Sequence, residues 1–259
     1  MSLLSLRRLE KHYGRQVVLE RMNADVEEGE FISIVGASGC GKTTFLNMML
    51  GIEPPSRGEL LLDGRPIPQE PGEDRGVVFQ RYSVFPHLSA LENVMLGGEF
   101  SQARWLGRTW GARRRAIAVE ARAMLQQVGL EHAADKYPHQ LSGGMQQRLA
   151  LAQALTKKPR ILLLDEPFGA LDPGIRREMH QLITDLWRRH RLTIFMITHD
   201  LREGFSLGSR LWVFDKVRHD AQAPDAWGAS ITYDIRLDRA PAGLEQRISA
   251  SVYPPRHVA

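Results

Sequence analysis

Three stretches of this chain combine residue types able to do chemistry on a polyphosphate. The first is Gly36-Ala37-Ser38-Gly39-Cys40-Gly41-Lys42-Thr43, set directly after the apolar run Phe31-Ile32-Ser33-Ile34-Val35. The spacing is that of a P-loop, in which three glycines let the backbone curl and turn its N–H groups toward phosphate oxygens. The helix expected over Thr44 to Leu50 adds the positive end of its dipole. Lys42 would reach the β- and γ-phosphates, and the Thr43 hydroxyl would complete the coordination of Mg²⁺.

The second stretch is Ile161-Leu162-Leu163-Leu164-Asp165-Glu166. Four apolar residues make a central strand, and two carboxylates emerge at its C-terminal end, where open α/β sheets bind ligands. Asp165 would hold Mg²⁺, directly or through water, and Glu166 is the natural group to orient and deprotonate an attacking water. The third is Leu141-Ser142-Gly143-Gly144-Met145-Gln146-Gln147. Ser142 is placed to cap a helix running through Met145 to Leu155, with Gly143 and Gly144 exposing backbone N–H groups. That helix start is either a second anion site, separate from the P-loop, or an ordinary N-cap.

The elements that position these stretches alternate. Leu3 to Leu6 reads as a short strand, Val17 to Leu19 and Met22 to Val26 as another pair, and Glu59 to Leu62 with Asp63-Gly64 as a hairpin. Gly76 to Gln80 reads as a buried strand ending on a polar amide. Residues 87–158 are helix-rich, with apolar positions from Ile117 to Val128 at helical spacing. Strands return at Ile161, Leu192 to Ile197 and Leu211 to Phe214, so βαβ units and a parallel sheet are expected. In the tail, Ile231 to Leu237 alternates apolar and polar residues as a half-buried strand does.

Composition narrows the class. The chain has 259 residues, 43% hydrophobic and 25% charged, enough for one large α/β domain or a domain with a subdomain. A net charge of +4 is too small a surplus to mark a nucleic-acid binder without a focused patch. Residues 101–115, where five arginines interleave with Trp105 and Trp110, read as a solvated helix face, with an RNA or anionic-lipid patch as the alternative. One cysteine, Cys40, excludes an internal disulfide framework and fits a reducing compartment. No apolar run approaches membrane-spanning length, and the start Met-Ser-Leu-Leu-Ser-Leu-Arg-Arg is charged too soon for a signal peptide.

With all three stretches in view, the chain resembles the ABC-transporter ATPases. Leu141 to Gln147 is similar to their signature motif, and four further motifs fall in the family's order. Tyr13 matches the aromatic that stacks on adenine, although a lone Tyr there could equally be plain packing. Gln80 matches the Q-loop glutamine, Gly169-Ala170-Leu171-Asp172 the D-loop, and Thr198-His199-Asp200 the switch histidine. The resemblance covers approximately residues 3–215. It implies an α/β ABC ATPase fold, with a RecA-like P-loop core and an antiparallel β subdomain over 1–83 and 151–215. A helical subdomain would be inserted at 84–150, and a tail with an extra strand would occupy 216–259.

The resemblance also implies roles. ATP contacts fall at Tyr13, Gly36, Ser38, Gly39, Cys40, Gly41, Lys42, Thr43 and Thr44, at Ser142, Gly143, Gly144 and Gln146, and at Asp172. Glu166, His199 and Gln80 are the catalytic set; Thr43, Gln80 and Asp165 are the metal set. Two protomers would pair head to tail, each nucleotide lying between one P-loop and the other signature. The segment Gln80 to Asn93 would dock on integral-membrane permease subunits, with His87 and Pro86 as contact or turn residues.

Within the family, the P-loop, the Asp165 to Asp172 run and the single short domain resemble ATPases of nitrate, sulfonate and taurine importers and of related guanidine- or urea-type systems. The long Arg/Trp segment and the tail after Asp215 depart from that pattern. The reading is an energy-coupling importer subunit for a small polar nutrient, peripheral on the cytoplasmic face of the plasma membrane. A solute-binding protein belongs to the same system, and no nucleic-acid partner is expected. A lipid or export ATPase, and a soluble ABC ATPase acting on nucleic acid, are the alternatives.

Overall fold

The computed structural model describes residues 2–79, 84–102, 111–218, 222–223, 225–240 and 243–252. Its contacts gather into two compact units, residues 1–72 with 193–259, and residues 73–192.

The first unit holds two sheets. In one, β1 (Leu4–Tyr13) pairs antiparallel with β2 (Gln16–Val26). After β3 (Phe31–Gly36) of the other sheet and α1 (Lys42–Leu50), the chain returns in β4 (Arg57–Leu62) beside β1 and turns back in β5 (Arg65–Pro66). The strand expected over Leu3 to Leu6 therefore runs on to Tyr13. The two short strands expected between Val17 and Val26 are one. Alternation hid both, because Arg8 and Arg21 adopt positive φ of 46° and 44° and the β1–β2 register slips beside them. Each slip moves the apolar set to the other face, so a strict period of two breaks.

In the second unit, β6 (Arg75–Val78) pairs in parallel with β7 (Ile161–Asp165), Val78 opposite Leu164. The strand expected to reach Gln80 ends at Val78, and Gln80 itself lies outside the described residues. Among its described residues this unit also holds α2 (Ala90–Gln102), α3 (Ala112–Gln127), α4 (Gly143–Leu155) and α5 (Pro173–His190), of which α4 packs on β6. Ile117, Ala121, Met124 and Leu125 of α3 are buried at the expected helical spacing. Arg113, Arg114 and Arg115 start that helix on its exposed side, while Arg104, Trp105, Arg108 and Trp110 lie outside the described residues.

The first unit is completed by β8 (Thr193–Ile197), α6 (Leu201–Leu207), β9 (Arg210–Asp215), β10 (Ser230–Arg236) and α7 (Leu244–Val252). β3 lies between β8 and β9, parallel to both, and β10 closes the β9 edge antiparallel. Every residue of β3 and β8 is buried, as strands covered on both faces must be. Phe45 of α1 packs edge-on against Phe195, Trp212 and Phe214 with ring centroids 5.6–6.2 Å apart. The tail strand expected over Ile231 to Leu237 is thus present. Arg210 fastens it, donating to both Asp234 carboxylate oxygens at 2.6 Å and to Glu30 at 2.9 Å. In α7, Ile248 is fully buried against Val35, Leu201, Leu211 and Val213. Among the described residues, no helix is long and apolar enough to cross a membrane.

Candidate active site

The P-loop spans the end of β3 and the start of α1, and its glycines are there for measurable reasons. Gly39 and Gly41 both sit at φ +82°, a left-handed conformation that L side chains rarely adopt. A Cβ at Gly36 would lie 2.2 Å from the Phe214 carbonyl oxygen, and one at Gly41 would lie 2.7 Å from Leu19. Gly41 is also the N-cap of α1, so no side chain accepts from the first-turn N–H groups. Lys42 is buried at the mouth of this loop, with Nζ donating to the carbonyls of Gly36 (2.7 Å) and Ala37 (2.9 Å). Cys40 is buried 3.7 Å from the same ammonium. Burial pushes its thiol above the ordinary range, and Lys42 offsets only part of that. Thr43 is exposed on the first turn of α1.

Tyr13 reaches the same helix. Its hydroxyl bonds the Glu53 carboxylate and also lies within hydrogen-bond reach of Thr44. Lys11 Nζ sits 5.0 Å from the ring centroid and 3.0 Å from Glu53. Partial burial and the bond to Glu53 push the phenol up, while Tyr13, Lys11 and Asn47 hold Glu53 below the usual carboxylate range. Tyr13 is still 45% exposed.

His199 follows β8 and is exposed. Its neighbour Thr198 is locked, donating its backbone N–H to Ile34 (3.1 Å) and its hydroxyl to the buried Glu203. Asp200 caps α6 by accepting from Arg202 and Glu203. Tyr13, the P-loop and His199 therefore belong to one compact unit, and β3 with its neighbours holds the last two together.

The remaining residues belong to the other unit. Asp165 is the last residue of β7, and Glu166 follows at φ +47°. A glutamate in that conformation is strained by about 1–2 kcal/mol, the kind of cost that persists where a side chain must be aimed. Ser142 is the N-cap of α4, its Oγ accepting from the Met145 N–H at 3.3 Å, and it is exposed together with Gly143. Gln146 turns its amide back, donating to the carbonyls of Pro138 (2.9 Å) and Leu141 (3.2 Å). Asp172 caps α5, accepting from Gly174 and Ile175, with Pro173 at the first helical position. Gly144 meets that same first turn of α5 through Ile175.

A family model described as ABC transporter matches residues 19–169, more than half of the chain. The chain belongs to the ABC transporter ATPase family. The bicarbonate transport ATP-binding protein CmpD of Synechocystis sp. is 46% identical over 198 residues, 76% of this chain and 67% of the relative. The taurine import ATP-binding protein TauB of Rhizobium johnstonii is 44% identical over 202 residues, 78% of this chain and 73% of the relative. Among solved structures, cbiO1 from Clostridium perfringens superposes with a TM-score of 0.78 at 25% identity, covering 98% of this chain and 96% of that one. The ATP-binding cassette MJ0796 bound to ADP and Pi gives 0.71 at 30% identity, covering 90% and 98%. As an ABC ATPase, the chain binds and hydrolyses ATP.

In this ABC ATPase, two buried polar residues shape segments next to the motif positions. Glu203 fixes Thr198, which directly precedes His199. Asn93, fully buried, donates to the carbonyls of Phe85, Leu88 and Ser89 and accepts from the Phe85 N–H, so it moulds the segment leading into α2. The signal for Asn93 was an amide in an apolar helix start; a buried amide must find partners.

Proposed function

We propose that this ABC ATPase is the energy-coupling subunit of an importer for a small polar nutrient, working as a head-to-tail dimer on the cytoplasmic face of the plasma membrane. The observation that carries the reading is the Lys42 ammonium held over glycine-shaped carbonyls at the mouth of an α1 whose N-cap has no side chain. That arrangement receives anionic phosphates. The import reading is supported by relatives named for bicarbonate, taurine and nitrate import or transport, at 44–46% identity. A dimeric MJ0796 cassette structure, at 31% identity, supports the pairing.

Each residue then has a task. Ser38 to Thr44 cradle the phosphates, with Cys40 facing them through its backbone only, and Tyr13 offers its exposed ring to the base. Ser142, Gly143 and Gly144 present the start of α4 to the partner's γ-phosphate, while Gln146 shapes the preceding loop and Asp172 the neighbouring one. Thr43 and Asp165 supply the oxygen donors that suit Mg²⁺, and among the described residues no group of three or more His, Cys, Asp or Glu makes a protein-only cage. A Mg²⁺ held there together with nucleotide would neutralise charge on the phosphates. Glu166 takes the proton of the attacking water, and His199 donates to the oxygen on which charge develops. Gln80 is placed here by the motif order alone.

The test is reconstitution. The chain co-purified with a polytopic permease and a solute-binding protein in vesicles should give uptake that depends on MgATP. Recovery as a partnerless ATPase, or turnover that rises on adding DNA or RNA, would overturn the import reading.

A further inference from the structure

Beyond the ATP site lies the tail segment between β9 and β10, on which the strand β2 rests. Val17 donates its N–H to the Asp225 carbonyl (2.9 Å), Ala229 donates to Val18 (2.9 Å), and Glu20 donates back to Ala229 (2.8 Å). The Glu20 side chain is buried, yet it is a charged group and needs partners. It accepts from the Gly228 N–H at 3.3 Å and from the Arg218 guanidinium, which lies 3.8 Å over the Trp227 ring. Gly228 is needed for this closeness: a Cβ there would lie 3.0 Å from Val17 Cγ1 and from the Val18 backbone.

The other side of the same residues presses on the nucleotide site. A Cβ at Gly41 would lie 2.7 Å from Leu19 Cδ2 and 2.8 Å from Val18 Cγ1. So the stretch that the tail holds by three main-chain bonds is the stretch packed on the N-cap of α1. We propose that Arg218 and Asp225 to Ala229 form a strap that sets the affinity of the P-loop for ATP, with Glu20 as its central positioning residue. Covering the β2 edge would by itself need only main-chain pairing. The buried carboxylate, the guanidinium over the indole and the close approach at Gly228 fix one geometry, and Val18 and Leu19 transmit it to Gly41. The proposal rests on the P-loop as the ATP site.

The test uses the full chain titrated with MgATP by calorimetry, with steady-state turnover and thermal melts alongside. Glu20→Gln and Arg218→Met should weaken MgATP binding roughly two- to thirtyfold, the range for residues that couple to a site without touching ligand. The loss should appear in KM, with kcat at saturating ATP nearly unchanged, as expected when uniform binding is lost. Arg218→Lys, which keeps a charge for Glu20, should recover most of the affinity. By reciprocity, saturating MgATP should slow hydrogen exchange at the Glu20 and Ala229 amides of the parent chain.

Variants that melt earlier but bind MgATP as the parent does would overturn the strap and leave it an edge cover. Should Glu20→Gln fail to fold, the half-exposed Arg218 pair carries the test alone. A parent chain that bound no MgATP would overturn the P-loop reading and the strap with it.

Discussion

Gly144 and Ile175 approach so closely that a Cβ on the glycine would lie 2.6 Å from Ile175 Cγ2. A glycine that a phosphate reading assigns to the signature is therefore also the point where α4 meets the first turn of α5. A β-branched residue in a helix has essentially one χ1 rotamer, so Ile175 cannot swing away cheaply. Gly144→Ala should cost about 1–3 kcal/mol by overpacking, less the helix propensity it gains. In a chain of this size that lowers Tm by about 2–4 °C per kcal/mol. Adding Ile175→Val does not remove the offending Cγ2 position, whereas Ile175→Ala does. The double variant Gly144→Ala/Ile175→Ala should thus lose less stability than the two single losses summed, read from thermal melts. Additive losses would mean the contact is not what makes the glycine necessary.

Ser142 has two possible reasons to be there, and one substitution separates them. As an N-cap it is worth about 1 kcal/mol, and aspartate caps as well as serine does. Ser142→Asp should therefore keep the parent Tm. If the partner's γ-phosphate lies against this helix start, the added charge should abolish most ATP turnover in the same sample. Ser142→Ala should show the opposite balance, with a lower Tm and milder catalytic loss.

The strained Glu166 gives the sharpest catalytic expectation. Glu166→Gln preserves shape and the positive φ but removes the proposed base, so turnover should fall by roughly 100-fold or more while MgATP binding persists. A nucleotide-bound dimer should then accumulate on gel filtration. Turnover near the parent rate would assign the proton to another group.

These residues differ in how plainly the sequence announced them. Glu166 and Ser142 were legible because each stands at the end of an unmistakable element: four apolar residues before the carboxylate, and a serine with two glycines before an apolar helix. The parallel strands β3, β7 and β8 were legible for the same reason, as short runs buried on both faces. The β1–β2 hairpin was not, because bulges at Arg8 and Arg21 shift the apolar alternation from one face to the other. Nor were the strap and the Gly144–Ile175 contact, which join residues 208 and 31 positions apart that carry no local signature. Long-range contacts of that kind are set by topology, and local pattern is silent about them.

Tyr13, proposed to stack on the base, also bonds a titrating carboxylate, Glu53. Tyr13→Phe keeps a ring for the base and loses the bond to Glu53, whereas Tyr13→Ala loses both. Stacking of a base on an aromatic is worth about 1–3 kcal/mol, so Tyr13→Ala should weaken MgATP binding by roughly 5- to 150-fold and Tyr13→Phe far less. The hydroxyl should appear in stability instead. Glu53 is held below its ordinary value of 4.5, first by the Tyr13 bond. A depressed carboxylate stabilises the fold at pH above its unfolded pKa, and that contribution disappears as pH falls through the folded one. The parent should thus be the more stable at pH 7, with the gap to Tyr13→Phe closing as pH drops below about 4.5. A gap that stayed constant on acidification would detach Tyr13 from Glu53.

The rate at which Cys40 is alkylated reports on the state of the P-loop. Burial raises its thiol above the ordinary 9.0, so at pH 7.5 the thiolate fraction is smaller than in a free cysteine. Alkylation by iodoacetamide should be slower than that of glutathione at this pH and should climb as pH rises past 9. Phosphates seated on the loop would cover the same backbone and draw the Lys42 ammonium away from the sulfur. MgATP should therefore slow the labelling further, in proportion to occupancy, by mass spectrometry of the modified peptide. Labelling at the glutathione rate, indifferent to MgATP, would show that Cys40 is neither buried nor part of the cradle.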